Sequence, residues 1–187
     1  INAYWMGDSQ IHIKVNDNYY KSENHNIFNQ KELERVQTIS TPTFSVKILD
    51  DKNCQAEKNG YFIFKNNKEE DEPLAFSRSL GHDFITLQEL EEKEISITDE
   101  DTIAILVASD GLYDILHEEY PLNTYPDKES SFFVELATAR WKQEWIYHIP
   151  EEFRGINTPY APSKSRFPKE DWDDVSVAVF LKTKSMQ

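Results

Sequence analysis

Residues 102–106 read TIAIL and run without a break into VASDGLYD at 107–114. A continuous apolar run of this length reads as a strand covered on both faces. It stops on Asp110-Gly111, with Asp114 four residues further on. A second stretch, DWDDVSVAVFLK at 171–182, has the reverse order: Asp173 and Asp174 lead into a valine-rich run. If strands 102–109 and 175–181 lie antiparallel in one sheet, the end of the first sits beside the start of the second. Asp110 and Asp173 then share one rim. A helical turn opening at Gly111 puts Asp114 on the same side as Asp110. Asp8, in the Gly7-Asp8-Ser9 junction between two alternating stretches of NAYWMGDSQIHIKV, closes a strand in the same way.

Carboxylates gathered at one rim repel one another, and hard divalent cations such as Mg²⁺ or Mn²⁺, completed by water, offset that repulsion. Asp8, Asp110, Asp114 and Asp173 are the candidate ligands on this reading. SDG and WDD are also ordinary turn sequences whose aspartates cap nearby backbone, and spacing alone leaves both readings open.

The rest of the chain supplies a scaffold. The N-terminal alternation starts within a few residues of Ile1, so the chain begins inside a sheet, and an earlier portion of the domain is expected before it. Asn29 is placed to cap a short helix carrying Leu33, Val36 and Gln37. A strand at 61–64 lies between charged, Asn-rich segments that read as an enlarged surface loop. LAFSRSLG at 74–81 suits a short helix or turn ending at Gly81, and its Arg78, taken alone, reads as a packed or ion-paired arginine. ESSFFVELATARWKQEWIY at 129–147 fits one amphipathic helix, capped by Ser130 or Ser131, with Phe133, Leu136, Ala137, Arg140 and Trp141 on its core face. Four prolines between 148 and 171 make that segment a long loop.

GDS, LAFSRSLG, ASDGLYD and DDVSVAV, in this order, resemble the protein phosphatase 2C family of metal-dependent Ser/Thr phosphatases. The resemblance runs from Ala3 to about Lys182 and treats 1–187 as one domain, the C-terminal portion of the family's, with loop insertions near 50–72 and 147–171. It implies an α+β fold of two antiparallel sheets packed face to face with helices outside, in which two or three Mg²⁺ or Mn²⁺ ions sit in a cleft at one end. By position, Asp110 and Asp173 match aspartates of the catalytic metal pair, and Asp8 and Asp114 match ligands of a third metal that also involves Asp110. Asp174 and Arg78 fall where a second layer of contacts is expected. The implied reaction is direct attack of a metal-activated water on phosphoserine or phosphothreonine in a phosphoprotein, with no phosphoenzyme.

Some positions depart from the pattern. Asp174 stands where asparagine is frequent, His82 where aspartate is, and Tyr113 where tryptophan is. The family's Asp-Gly-His-Gly stretch and its phosphate-gripping arginine, which precede GDS, do not occur in these 187 residues. Two functional readings follow. One is an active phosphatase whose N-terminal half lies upstream or is supplied by another chain. The other is a catalytically inactive phosphatase-like binding or regulatory module.

Composition removes other classes. Thirty-four acidic against 20 basic residues, a net charge of −14, argue against a nucleic-acid partner. No apolar run approaches the ~20 residues needed to span a membrane, and the single cysteine, Cys54, cannot form an internal disulfide. A cytoplasmic or nuclear setting is the expectation. His12, His25, His117 and His148 lack metal-ligand spacing and read as surface or packing residues. The acidic runs at 69–72 and 89–94 read as solvated faces.

Overall fold

The structure is a computed structural model that describes residues 1–38, 46–51, 59–65, 68–80, 86–116, 119–147 and 163–183. His82, Cys54, His117, His148 and Gly81 lie outside the described residues, as do 52–58, 66–67 and 148–162 of the two expected insertions. In chain order the elements are β1 (Asn2–Trp5), β2 (Gln10–Val15), β3 (Asn18–Lys21), α1 (Gln30–Thr38), β4 (Val46–Asp51), β5 (Asn59–Lys65) and β6 (Asp71–Leu74). There follow β7 (Glu91–Glu94), β8 (Ile103–Ala108), α2 (Asp110–Leu116), α3 (Pro121–Thr124), α4 (Ser130–Lys142), β9 (Trp145–Tyr147), β10 (Ser163–Ser165) and β11 (Val177–Lys182). The mixture of helices with antiparallel sheets is the fold class that the sequence implied. No described helix is long and apolar enough to cross a membrane.

The chain forms two compact units. The first comprises residues 1–24, 90–143 and 167–187. Its centre is a four-stranded antiparallel sheet in the order β11-β8-β2-β3. The apolar strand β8 lies inside this sheet, and its alternate residues serve two layers. Leu106 and His12, opposite each other in register and fully buried, lie on the helical side, where the ring of His12 meets Tyr113 of α2. Ile13 and Val15 point the other way, into a cluster with Ala3 of β1 and Ile95. β1 pairs with β7, so the acidic run at 89–94 is in part a strand whose side chains are largely solvated.

Helix α4 is shorter than its pattern suggests. It ends at Lys142, and Gln143 is extended with φ −72° and ψ 166°. Trp145, Ile146 and Tyr147, aromatic or β-branched, form β9 instead, paired with β10. Nor does a serine cap this helix. Glu129 holds the capping position without a side-chain bond, and Ser130 Oγ accepts the amide of Val179 on β11.

The second unit comprises residues 25–89 and 144–166. Asn29 caps α1 as expected, its Oδ1 accepting the amides of Lys31 at 3.1 Å and Glu32 at 3.4 Å. Ile27, Val36, Phe62 and Phe64 form the core between α1 and the sheet β4-β5-β6. Pro73 is tolerated in β6 because that strand is an edge. Residues 76–79 are bridged turn rather than helix.

Arg78 is 6% exposed and Glu32 1%. Arg78 donates to Glu32 Oε1 at 2.6 Å, to Oε2 at 3.2 Å and to the Glu89 carbonyl at 3.1 Å. Ser77 Oγ, at 2.6 Å, and Arg35 also donate to the carboxylate. Burial works to raise the pKa of Glu32, but the bonds from Arg78 and Ser77 and the charges of both arginines bring it below the usual range. Arg78→Ala leaves Glu32 buried without its main partner, and is expected to cost about 3–5 kcal/mol in urea unfolding. Arg78→Lys is expected to recover only part, because an ammonium cannot reproduce the two-pronged contact. A loss below about 1 kcal/mol in the alanine variant would show that the pair is not sealed from water.

Candidate metal centre

The register of β8 builds the site. Ala108, its last residue, faces Gln10 at the start of β2 on one side and Val177 at the start of β11 on the other. Whatever follows Ala108 therefore meets what precedes Gln10 and Val177. Those residues are Asp110, Asp8 and Asp173. Gly7, at φ 85°, takes the left-handed conformation that lets the chain turn before Asp8.

Helix α2 opens at Asp110, so Asp110 and Asp114 are one turn apart on one face. Carboxylate oxygens of Asp110, Asp114 and Asp173 lie within 4.8 Å of one another. Asp110 is half-buried, whereas Asp114 and Asp173 are exposed. Burial first, then the charges of Asp8 and Asp173 and a carboxyl–carboxyl hydrogen bond to Asp173, push the pKa of Asp110 up to about 6. The Gly111 amide, donating to Asp110 Oδ1 at 3.0 Å, works against this rise. Asp8 is raised as well, chiefly by burial and in part by Asp173, and against its own amide and that of Ser9. Three of the four sequence-derived candidates, Asp110, Asp114 and Asp173, thus lie close together, and Asp8 is near enough for its charge to act on Asp110.

Several contacts hold α2 in this place. A Cβ on Gly111 would stand 2.5 Å from the Asp174 carbonyl oxygen and 3.3 Å from Asp173 Cβ. Glycine is what lets the 173–174 backbone approach the first turn of α2. Trp141 of α4 donates its indole N–H to the Gly111 carbonyl at 2.9 Å. Arg140 donates to the carbonyls of Ile115, at 2.7 Å, and Leu116, where a cation also suits the helix C-terminus. Tyr113 stacks on His12 with ring centroids 4.9 Å apart. Burial, then Lys21, lowers the pKa of His12 to about 3. It is a neutral packing residue.

The two residues expected in a second layer differ. Asp174 acts through its backbone: its carbonyl accepts the Ser109 hydroxyl at 2.9 Å, and its amide donates to Asp173 Oδ1 at 2.7 Å. Arg78 belongs to the second unit and is engaged by Glu32. Trp141 and Ser109 were not singled out by sequence reasoning for this rim. A core-facing stripe does not announce that its tryptophan N–H serves another helix.

The donor set fits a hard divalent cation. Every ligand candidate is a carboxylate oxygen, which Mg²⁺ and Mn²⁺ prefer, and a cation would offset the negative charge of three carboxylates this close together.

An α+β chain with antiparallel sheets and an acidic rim at the end of its central strand has the form of a phosphatase-like domain. A family model described as Protein phosphatase 2C matches residues 2–121, well over half of the chain, and the chain belongs to that family. Metal dependence is typical of the family. A solved structure described as that of a C. elegans sex determining protein is similar in fold, with TM-score 0.50 and 17% identity over 96% of this chain. The match covers 36% of that protein, so this chain spans about a third of its length. No curated protein matches.

Two outcomes are expected at this rim. Gly111→Ala forces a methyl group against backbone and should lower stability by about 1–3 kcal/mol in urea unfolding. An unchanged midpoint would mean that the 173–174 backbone yields freely. Asp110, with a folded pKa near 6 against an ordinary 3.8, holds its proton in the folded state where the unfolded chain has lost it. The metal-free fold therefore loses stability as pH rises between these values. Relative to Asp110→Asn, the melting temperature of wild type in a chelator should fall as pH rises from about 4 to 6 and then run parallel. A constant difference would remove the crowding of charge at Asp110.

Proposed function

We propose that Asp8, Asp110, Asp114 and Asp173 hold Mg²⁺ or Mn²⁺ and that the chain serves as a metal-dependent protein phosphatase acting on phosphoserine or phosphothreonine. The convergence of these four carboxylates, from three separate segments, carries the reading. Such ions, when bound, supply an acidified water and a counter-charge for phosphoryl oxygens. The chain's own residues do the holding. Asp110, central to the cluster and the least exposed of the three mutually close carboxylates, is the shared ligand. Asp173 approaches it from the β11 side, Asp114 from one helical turn away and Asp8 from the start of β2. The exposed carboxylates of Asp114 and Asp173 leave the rim open to a phosphoprotein, the proposed partner, in an aqueous compartment such as cytoplasm or nucleus.

The alternative is a phosphatase-like module that binds without turnover. Release of phosphate from a phosphothreonine peptide, with and without Mn²⁺, separates the two. Mn²⁺-dependent release, reduced about 100-fold or more in Asp110→Asn, is the result expected of the phosphatase, since the metal contributes several kcal/mol. Mn²⁺ binding in calorimetry without release would favour the binding module. Unchanged Mn²⁺ affinity in Asp110→Asn would remove the ligand assignment.

A further inference from the structure

We propose that Ser109 is a positioning residue for the metal centre, fixing the separation of Asp110 and Asp173 through its side-chain hydroxyl. The proposal rests on the metal-binding reading above.

Ser109 lies between the last residue of β8 and Asp110. Its amide donates to the Ser176 carbonyl at 3.0 Å, which continues the β8–β11 ladder by one residue. In an antiparallel ladder a residue pair of this kind exchanges both bonds, so the Ser176 amide should donate back to the Ser109 carbonyl. It does not. The Ser176 amide donates to Ser109 Oγ at 3.0 Å, while the Ser109 carbonyl accepts the Leu112 amide at 3.2 Å and opens α2. The hydroxyl proton is used too, donated to the Asp174 carbonyl at 2.9 Å.

One side chain thus takes over the sheet's bond and releases the backbone carbonyl to begin a helix. Strand becomes helix within a single residue, and that residue is the neighbour of Asp110. On the other side, its three remaining bonds go to Asp174, the neighbour of Asp173, and to Ser176. Asp110 and Asp173 are therefore tied by a bridge of hydrogen bonds only one residue removed from each. Alanine at 109 would break two of these three bonds and let the segments relax apart under the repulsion of their carboxylates. Threonine retains the hydroxyl.

Mn²⁺ titration by calorimetry tests this, with the melting temperature in chelator as a second readout. Ser109→Ala is expected to weaken Mn²⁺ binding by about 10-fold or more, in the range for losing groups that orient metal ligands. Ser109→Thr should stay within about threefold of wild type. A purely structural serine would lower the melting temperature without altering affinity. Affinity within about twofold of wild type in Ser109→Ala, or equal losses in the alanine and threonine variants, would overturn the proposal. Should Ser109→Ala fail to fold, Ser109→Cys carries the test, with weaker binding expected from its poorer donor and unchanged affinity counting against. Wild type that binds no Mn²⁺ would remove the metal reading and this proposal together, whereas binding unaffected by position 109 removes this proposal alone.

Discussion

Repulsion among carboxylates at the end of β8 is the constraint around which the first unit is organised. Two ionised carboxylates about 5 Å apart oppose each other by about 3 kcal/mol at an effective dielectric near 20, and by less where solvent screens them. A single hydrogen bond contributes about 1 kcal/mol. No local contact could hold such a rim alone, so the restraint comes from elements anchored elsewhere. β8 is paired along its length with both β2 and β11. The base of α2 is packed through Leu112, Ile115 and Leu116, all buried, and gripped by Trp141 and Arg140 from α4. Burial first, and then the charges of Asp8 and Asp173, leave their mark in the raised pKa of Asp110.

Charge is handled differently in the second unit. Glu32 is deeper than any rim aspartate, yet its pKa is lowered, because two arginines and a serine hydroxyl enclose it. Burial alone does not set the direction. Hydrogen bonds and positive charge from its neighbours lower Glu32 against its burial, whereas the carboxylates beside Asp110 add to the effect of burial.

The rim was legible in the sequence because it depends on strand ends, and hydrophobic runs broken by Asp-Gly or preceded by Asp-Asp mark such ends. The Asn29 cap was legible for a similar reason, since it acts on amides two and three residues away. What escaped was long-range or backbone-borne. Glu32 lies 46 residues from Arg78, and nothing local in LAFSRSLG names that partner. Helix α4 stops at Lys142 although its apolar spacing continues, because the following residues pair with β10, which sequence periodicity cannot anticipate. Ser130 looked like a cap and instead serves the amide of Val179, a tertiary contact that outcompetes the local one.

The capping and metal readings of Asp110 and Asp173 are also less opposed than their sequence makes them look. Asp110 Oδ1 accepts its neighbour's amide at 3.0 Å, and Asp173 Oδ1 accepts the Asp174 amide at 2.7 Å. Each is a local cap of the kind that SDG and WDD imply. A carboxylate offers two oxygens and about four acceptor positions, so one amide bond leaves room for a cation. The amide also fixes the carboxylate's rotation, which would lower the ordering needed to bind a cation. On the metal reading, turn chemistry and ligand chemistry would use the same residues in sequence: the cap orients the group, the glycine at 111 admits the opposing backbone, and the sheet supplies the force that keeps like charges together.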